Sequence, residues 1–73
     1  MNKLGRWLKE KRLNSACSQK EYAKGIGITD VTLSKIENGE HCGTKTLRKL
    51  NRYTGASTKV LRGMMLFEEE GKV

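Results

Sequence analysis

The sequence predicts an all-α domain of five short helices. Three observations carry this. Apolar residues recur at helical spacing in each segment, with no run of strand-like alternation. Proline is absent, so Gly, Ser, Thr and Asn punctuate the chain, at Asn14-Ser15-Ala16, Gly25-Ile26-Gly27, Asn38-Gly39, Gly43 and Gly55. The intervals between these breaks are about 8–12 residues, the length of a short globular helix. A chain of 73 residues makes one domain, and at this size only about 60% of the unfolded surface is buried, so the core is thin.

The first helix is expected from about Asn2 to Leu13, with Leu4, Leu8 and Arg12 on one face. The second runs from Ser18 to about Ile26. Ser18 is a good N-cap, Glu21 completes a capping box, and Tyr22, Ala23 and Ile26 form the apolar face. Thr29 caps the third helix, which turns Leu33 and Ile36 inward and ends at Glu37 before Asn38-Gly39. The fourth follows Thr44, carries Leu47 and Leu50 on one face and stops at Gly55. The fifth is capped by Ser57 and buries some of Val60, Leu61 and Met64. Gly27-Ile28-Thr29 is a tight junction between the second and third helices. Glycine there permits positive φ, Ile28 plugs the angle and Thr29 caps the third helix. Two short helices joined in this way describe a helix-turn-helix.

Net charge is +7, and it is unevenly spread. Residues 1–67 hold 14 basic and 5 acidic side chains, whereas Glu68, Glu69 and Glu70 sit together near the end. We expect a helix-turn-helix domain over 1–67 and an acidic, flexible tail over 68–73. The basic unit should attract a polyanion. The longest apolar run, Met64 to Phe67, falls far short of the ~20 residues of a membrane span, and residues 1–20 lack the apolar region of a signal peptide. Cys17 and Cys42 are expected as reduced thiols in a cytoplasmic protein, Cys17 buried as a small hydrophobe and Cys42 exposed in a loop. One histidine and two distant cysteines give no metal-ligand or catalytic-triad spacing, so no enzyme activity, metal or cofactor is expected.

Ser18-Gln19-Lys20-Glu21-Tyr22-Ala23-Lys24-Gly25-Ile26-Gly27-Ile28-Thr29 resembles the second helix and turn of the lambda repressor/Cro-like (XRE-type) helix-turn-helix DNA-binding family, whose pattern is S-Q-x-x-L-A-x-x-h-G-h-S/T. Leu33-Ser34-Lys35-Ile36-Glu37-Asn38-Gly39 is similar to the family's L-S-x-h-E-x-G, and Arg12 stands where an arginine usually precedes the glutamine by seven residues. The resemblance covers about residues 3–63 and implies a five-helix lambda repressor-like fold. The departures are Tyr22 for a leucine, Gly25 inside a helix at about 1 kcal/mol against alanine, Ala16 where glycine is usual, and Asn51 and Thr54 at apolar positions of the fourth helix.

Site roles follow from the resemblance. Arg12 and Glu37 would form a structural ion pair between the first and third helices, with direct DNA contact as the alternative. The third helix, 29–37, would be the recognition helix in the major groove. Base contacts fall on Asp30, Val31 and Lys35: an acceptor for cytosine N4, a contact for a thymine methyl and a donor to guanine. For Asp30 the alternative is a favourable charge at a helix N-terminus; for Lys35 it is a phosphate contact or plain surface. Backbone contacts fall on Gln19, Lys20, Thr29, Thr32, Asn38, His41 and Lys45. Arg48, Lys49 and Arg52 are read as a solvated face or an extension of the phosphate footprint. Trp7 covers the edge of the core or meets a partner. Val60, Met64, Met65, Leu66 and Phe67 are assigned to a dimer interface, with further packing in the core as the alternative.

The implied function is a small Cro-like transcriptional repressor, of phage or mobile-element type, binding a palindromic operator as a homodimer. Its expected setting is the cytoplasm of a bacterial host, associated with the nucleoid. Its partners are double-stranded DNA and its own second copy, without membrane or small-molecule ligand. A rival reading is a protein-binding module, an antitoxin or an inhibitor of a host regulator, using the same fold. A second rival, charge-driven architectural or RNA binding, is disfavoured by the lack of an aromatic stacking surface.

Overall fold

The computed structural model describes residues 2–67; the acidic tail expected over 68–73 lies outside them. Five helices follow one another: α1 (Lys3–Asn14), α2 (Gln19–Ile26), α3 (Asp30–Glu37), α4 (Thr44–Thr54) and α5 (Thr58–Leu66). Apart from an isolated bridge at Asn2, regular structure among the described residues is helical.

Local chemistry sets most helix ends. The hydroxyls of Ser18, Thr29 and Ser57 accept from the backbone N–H of Glu21, Thr32 and Val60, and Ser18 with Glu21 forms the reciprocal capping box. Each such cap contributes about 1 kcal/mol. Gly27, Gly39 and Gly55 take φ of +97°, +97° and +84°, the left-handed conformation that ends a helix without a β-carbon penalty. Ala16 does the same work at φ +56° with a β-carbon present.

The core is one cluster. Leu4, Leu8, Leu33, Ile36, Leu47, Leu50 and Leu61 are fully buried, joined by Tyr22, Ala23, Ile26 and Met65. Each fully buried aliphatic side chain contributes roughly 1.5–3 kcal/mol. α1 packs on α3 and α5, α4 packs on α2 and α5, and α2 packs on α3. Trp7 is half-buried, packed on the core edge, with the Lys11 ammonium 5.1 Å from its ring centre.

Close approach explains two helical glycines. A β-carbon on Gly5 would collide with the carbonyl oxygen of Ile36, so α1 lies directly on the end of α3. A β-carbon on Gly25 would come 2.9 Å from Cε1 of Tyr53, whose ring covers it and meets Tyr22 edge-on at 5.1 Å. The helix penalty expected at Gly25 is therefore offset by a packing need. Asn51 and Thr54 do not disturb α4 as their polarity suggests. Asn51 Nδ2 donates to the Ala56 carbonyl at 2.7 Å, and the Thr54 hydroxyl donates to the Leu50 carbonyl and accepts from Ala56 N–H. They build the turn into α5.

Three placements correct the expectations. Met65 is 6% exposed and belongs to the core, because it lies one helical turn from Leu61; it is not available to a second copy. Of the three α5 residues of which some were expected to be buried, Leu61 is fully buried, Met64 half-buried and Val60 54% exposed, as that expectation allows. Cys42 is half-buried rather than exposed. Its backbone N–H donates to the Met65 sulfur at 3.2 Å, and burial pushes its thiol above the usual value. Cys17 is also only half-buried, packed against the core cluster.

Candidate nucleic-acid interface

α3 presents its outer face through Asp30, Val31 and Lys35, all exposed, while Leu33, Ile36 and Glu37 face inward. Val31 is 61% exposed, unusual for a valine with no contact to bury it. Asp30 Oδ1 accepts from the Val31 N–H at 3.0 Å. The Thr29 hydroxyl accepts from Thr32 N–H and donates to the Thr32 hydroxyl at 2.8 Å, so these two side chains lock the first turn together. Thr32 and Ser34 are half-buried.

The inner end of α3 is held by three separate grips. Arg12 Nε donates to Glu37 Oε2 at 2.7 Å and its second terminal nitrogen to Oε1 at 3.1 Å. A further nitrogen of the same guanidinium donates to the Cys17 carbonyl at 3.1 Å. This bidentate bond holds the Arg12 pKa above its ordinary value. Gln19 Nε2 donates to Glu37 Oε1 at 3.0 Å, which sets the first turn of α2 beside the last turn of α3. Asn2, fully buried, caps α1 by accepting from Gly5 N–H and donates its amide to the Gly39 carbonyl at 3.0 Å.

The turn between α2 and α3 has its own brace. The Lys49 ammonium on α4 donates to the Gly27 carbonyl at 3.1 Å, with the lysine stem lying over Gly27. The sequence suggests a solvated or phosphate-facing Lys49; its charge is used instead at the carboxyl end of α2, where a cation suits the helix dipole.

The remaining expected contacts lie as follows. Lys20, Thr29, Asn38, His41 and Lys45 are exposed, and Gln19 is half-buried with one amide hydrogen committed to Glu37. Asn38 caps α3. Val60, Leu66 and Phe67 are exposed on α5 and its end, and Met64 is half-buried. Sequence reasoning missed Asn2, Gly5 and Lys49 as supports of α3. Asn2 carried a signal, since Asn followed three residues later by a helical N–H is a capping pattern; Lys49 carried none.

The arrangement is two short helices at a fixed angle, the second with its outer face free and its inner end clamped. A helix-turn-helix family profile matches residues 8–61, which span α2, α3 and the Arg12 and Gln19 grips, with Asn2 and Gly5 just before the matched stretch. The chain belongs to the lambda repressor/Cro-like, XRE-type helix-turn-helix DNA-binding family. It is 38% identical over 61 residues to the ImmF control region 10 kDa protein of Bacillus phage phi105, covering 82% of this chain and 68% of that one. No solved structure matches. No helix among the described residues is long and apolar enough to cross a membrane.

Proposed function

We propose that this helix-turn-helix protein is a small transcriptional repressor that reads a palindromic operator as a homodimer, in the bacterial cytoplasm at the nucleoid. The single observation that carries the reading is α3 itself: an outer face of Asp30, Val31 and Lys35 left open, on a helix whose inner end is clamped by Arg12, Gln19 and Asn2. A rigid helix with an unpartnered valine and lysine suits the major groove, where a methyl and a guanine edge await such groups. In this reading Lys35 donates to guanine, Val31 meets a thymine methyl and Asp30 accepts from cytosine. Lys20, Thr29, Thr32, Asn38, His41 and Lys45 hold the phosphate backbone. Gln19 does so with the amide hydrogen that Glu37 leaves free.

The similarity to a protein described as belonging to a phage control region supports a regulatory role for this chain. Two recognition helices related by a two-fold axis would enter successive major grooves about 34 Å apart. Repression then results from occupancy.

The test is selection of duplexes from a random pool at about 150–200 mM salt, where purely phosphate-driven binding fades. An enriched palindrome with half-sites about one DNA turn apart is expected. A lone half-site removes the dimer and keeps the readout. No enrichment removes sequence-specific binding and turns attention to a protein partner for the exposed Val60, Leu66 and Phe67.

A further inference from the structure

Between the ends of α1 and α4 and the flank of α2 lies an open groove of about 370 Å³, lined by Lys11, Asn14, Ser15, Tyr22, Tyr53 and Thr54. That volume falls within the roughly 300–1,000 Å³ of small-molecule sites. None of the six residues is assigned to DNA or to a second copy. Together they carry one ammonium, one amide and four hydroxyls, with no carboxylate among them. Tyr22 is the decisive residue. It is 4% exposed, yet its hydroxyl has no hydrogen-bond partner among the described residues. No side-chain oxygen among them is both sealed from solvent and unbonded, so this hydroxyl is what Tyr22 leaves open to the groove. A tyrosine that buries its ring ordinarily finds a partner for its O–H. Burial also raises this phenol above its ordinary value, so it stays a donor at neutral pH.

The groove also gathers most of the chain's departures from the family pattern. Tyr22 and Thr54 line it, Gly25 gives up helix propensity to seat the Tyr53 ring, and Ala16 follows the rim residue Ser15 in a left-handed conformation. Its free donors define the ligand. The hydroxyls of Ser15 and Thr54 already donate to the Lys11 and Leu50 carbonyls. Those of Tyr22 and Tyr53 and the amide of Asn14 make no hydrogen bond, and the Lys11 ammonium rests over the Trp7 ring without an ion pair. The carbonyl ends of α1 and α4 would disfavour an anion, but the Arg12, Leu13 and Asn51 carbonyls are occupied by the N–H groups of Cys17, Ala16 and Gly55. The net charge of +7 favours an anion over the whole surface.

We propose that this groove binds a small organic anion, its carboxylate or phosphate paired with Lys11 and its other oxygens accepting from Tyr22, Tyr53 and Asn14. The site is separate from the operator reading above and is tested without DNA. It revises the expectation of a chain with no small-molecule ligand.

The isotope-labelled full chain is titrated into the millimolar range with citrate and with glycerol phosphate, at constant ionic strength, and followed by amide NMR shifts. Glycerol is the neutral control. At least one of the two anions is expected to give saturable shifts centred on Asn14, Ser15, Tyr22 and Tyr53, and glycerol far weaker ones. Whichever anion saturates first tells a carboxylate site from a phosphate site. Lys11→Gln is expected to weaken that binding by about tenfold or more, and Tyr22→Phe by about fivefold. Both variants should keep wild-type amide positions away from the groove, which separates a lost contact from a lost fold. Shifts that rise without saturating and spread over the exposed lysines overturn the site. So does saturable binding that Lys11→Gln and Tyr22→Phe leave unchanged, glycerol binding as tightly as its phosphate ester, or the absence of shifts with both anions.

Discussion

Arg12 and Glu37, 25 positions apart, meet as a fork on a carboxylate, at 2.7 and 3.1 Å, with side chains only 11% and 3% exposed. Such a pair is costly to break from one side, because the surviving charge is left without its partner in a dry place. Glu37→Gln or Arg12→Met is expected to cost about 3–5 kcal/mol in urea unfolding. The double change Arg12→Met with Glu37→Leu should be more stable than either single one. A double variant no better than the worse single would show that the pair's value lies in its further bonds to Cys17 and Gln19.

Gly25 and Tyr53 should be coupled. Gly25→Ala is expected to lower the Tm, since the new methyl meets the ring at 2.9 Å. In a Tyr53→Ala background the same change should instead stabilise by about 1 kcal/mol, the ordinary helix preference for alanine over glycine. A cycle with no sign reversal would mean that the ring moves aside freely.

Ala16 holds φ +56° between α1 and α2. Ala16→Gly is expected to stabilise by about 1 kcal/mol, because glycine enters that region without the β-carbon clash. Equilibrium unfolding measures it directly. A loss of stability would show that unfolded-state entropy outweighs the relief of strain.

Two lysines should part company in salt titrations of duplex binding. Lys49 spends its ammonium on the Gly27 carbonyl, so Lys49→Met is expected to weaken binding only through the turn, with the salt slope unchanged. Lys20 is exposed at the start of α2, and Lys20→Ala should reduce the slope by about 1, the signature of one lost phosphate contact. A slope that falls for Lys49→Met places that ammonium on DNA.

Burial, with the neighbouring Tyr53, raises the Tyr22 phenol above its ordinary value of 10.0. The folded state therefore favours the neutral phenol, and its contribution is fully present below the unfolded value. It is lost as pH rises from about 10 through the folded value. Alkaline titration of stability should show this fall in the wild type and a smaller one in Tyr22→Phe. Equal falls would assign the alkaline transition to other groups.

The chemistry legible in the sequence is that which acts over a few residues. Ser18 with Glu21, Thr29 before α3 and the glycines at 27, 39 and 55 announce helix ends because caps need those side chains at those offsets. The Arg12–Glu37 pair is legible only through the family pattern. Contacts made across the fold leave no periodic trace: nothing near Gly25 points to Tyr53, and nothing near Lys49 points to Gly27. The run Met64-Met65-Leu66-Phe67 is ambiguous for a different reason. Four apolar residues in a row have no phase, so only packing decides that Met65 turns in and Leu66 and Phe67 turn out. Cys42 departs from its expected exposure because a loop residue's burial depends on what comes to cover it, here the sulfur of Met65.

The Lys3 backbone N–H donates to the Phe67 carbonyl at 2.9 Å, so the start of α1 and the end of α5 are bonded neighbours. The helices thus form a closed circuit in space, and the order in which synthesis delivers them is one choice among several. A chain rejoined at that seam by a short linker and opened instead at the exposed Gly55 would traverse α5, α1, α2, α3 and α4 with every packed pair preserved. The helix-turn-helix pair α2–α3 would then stand in the middle of the polypeptide, with helical supports on both sides.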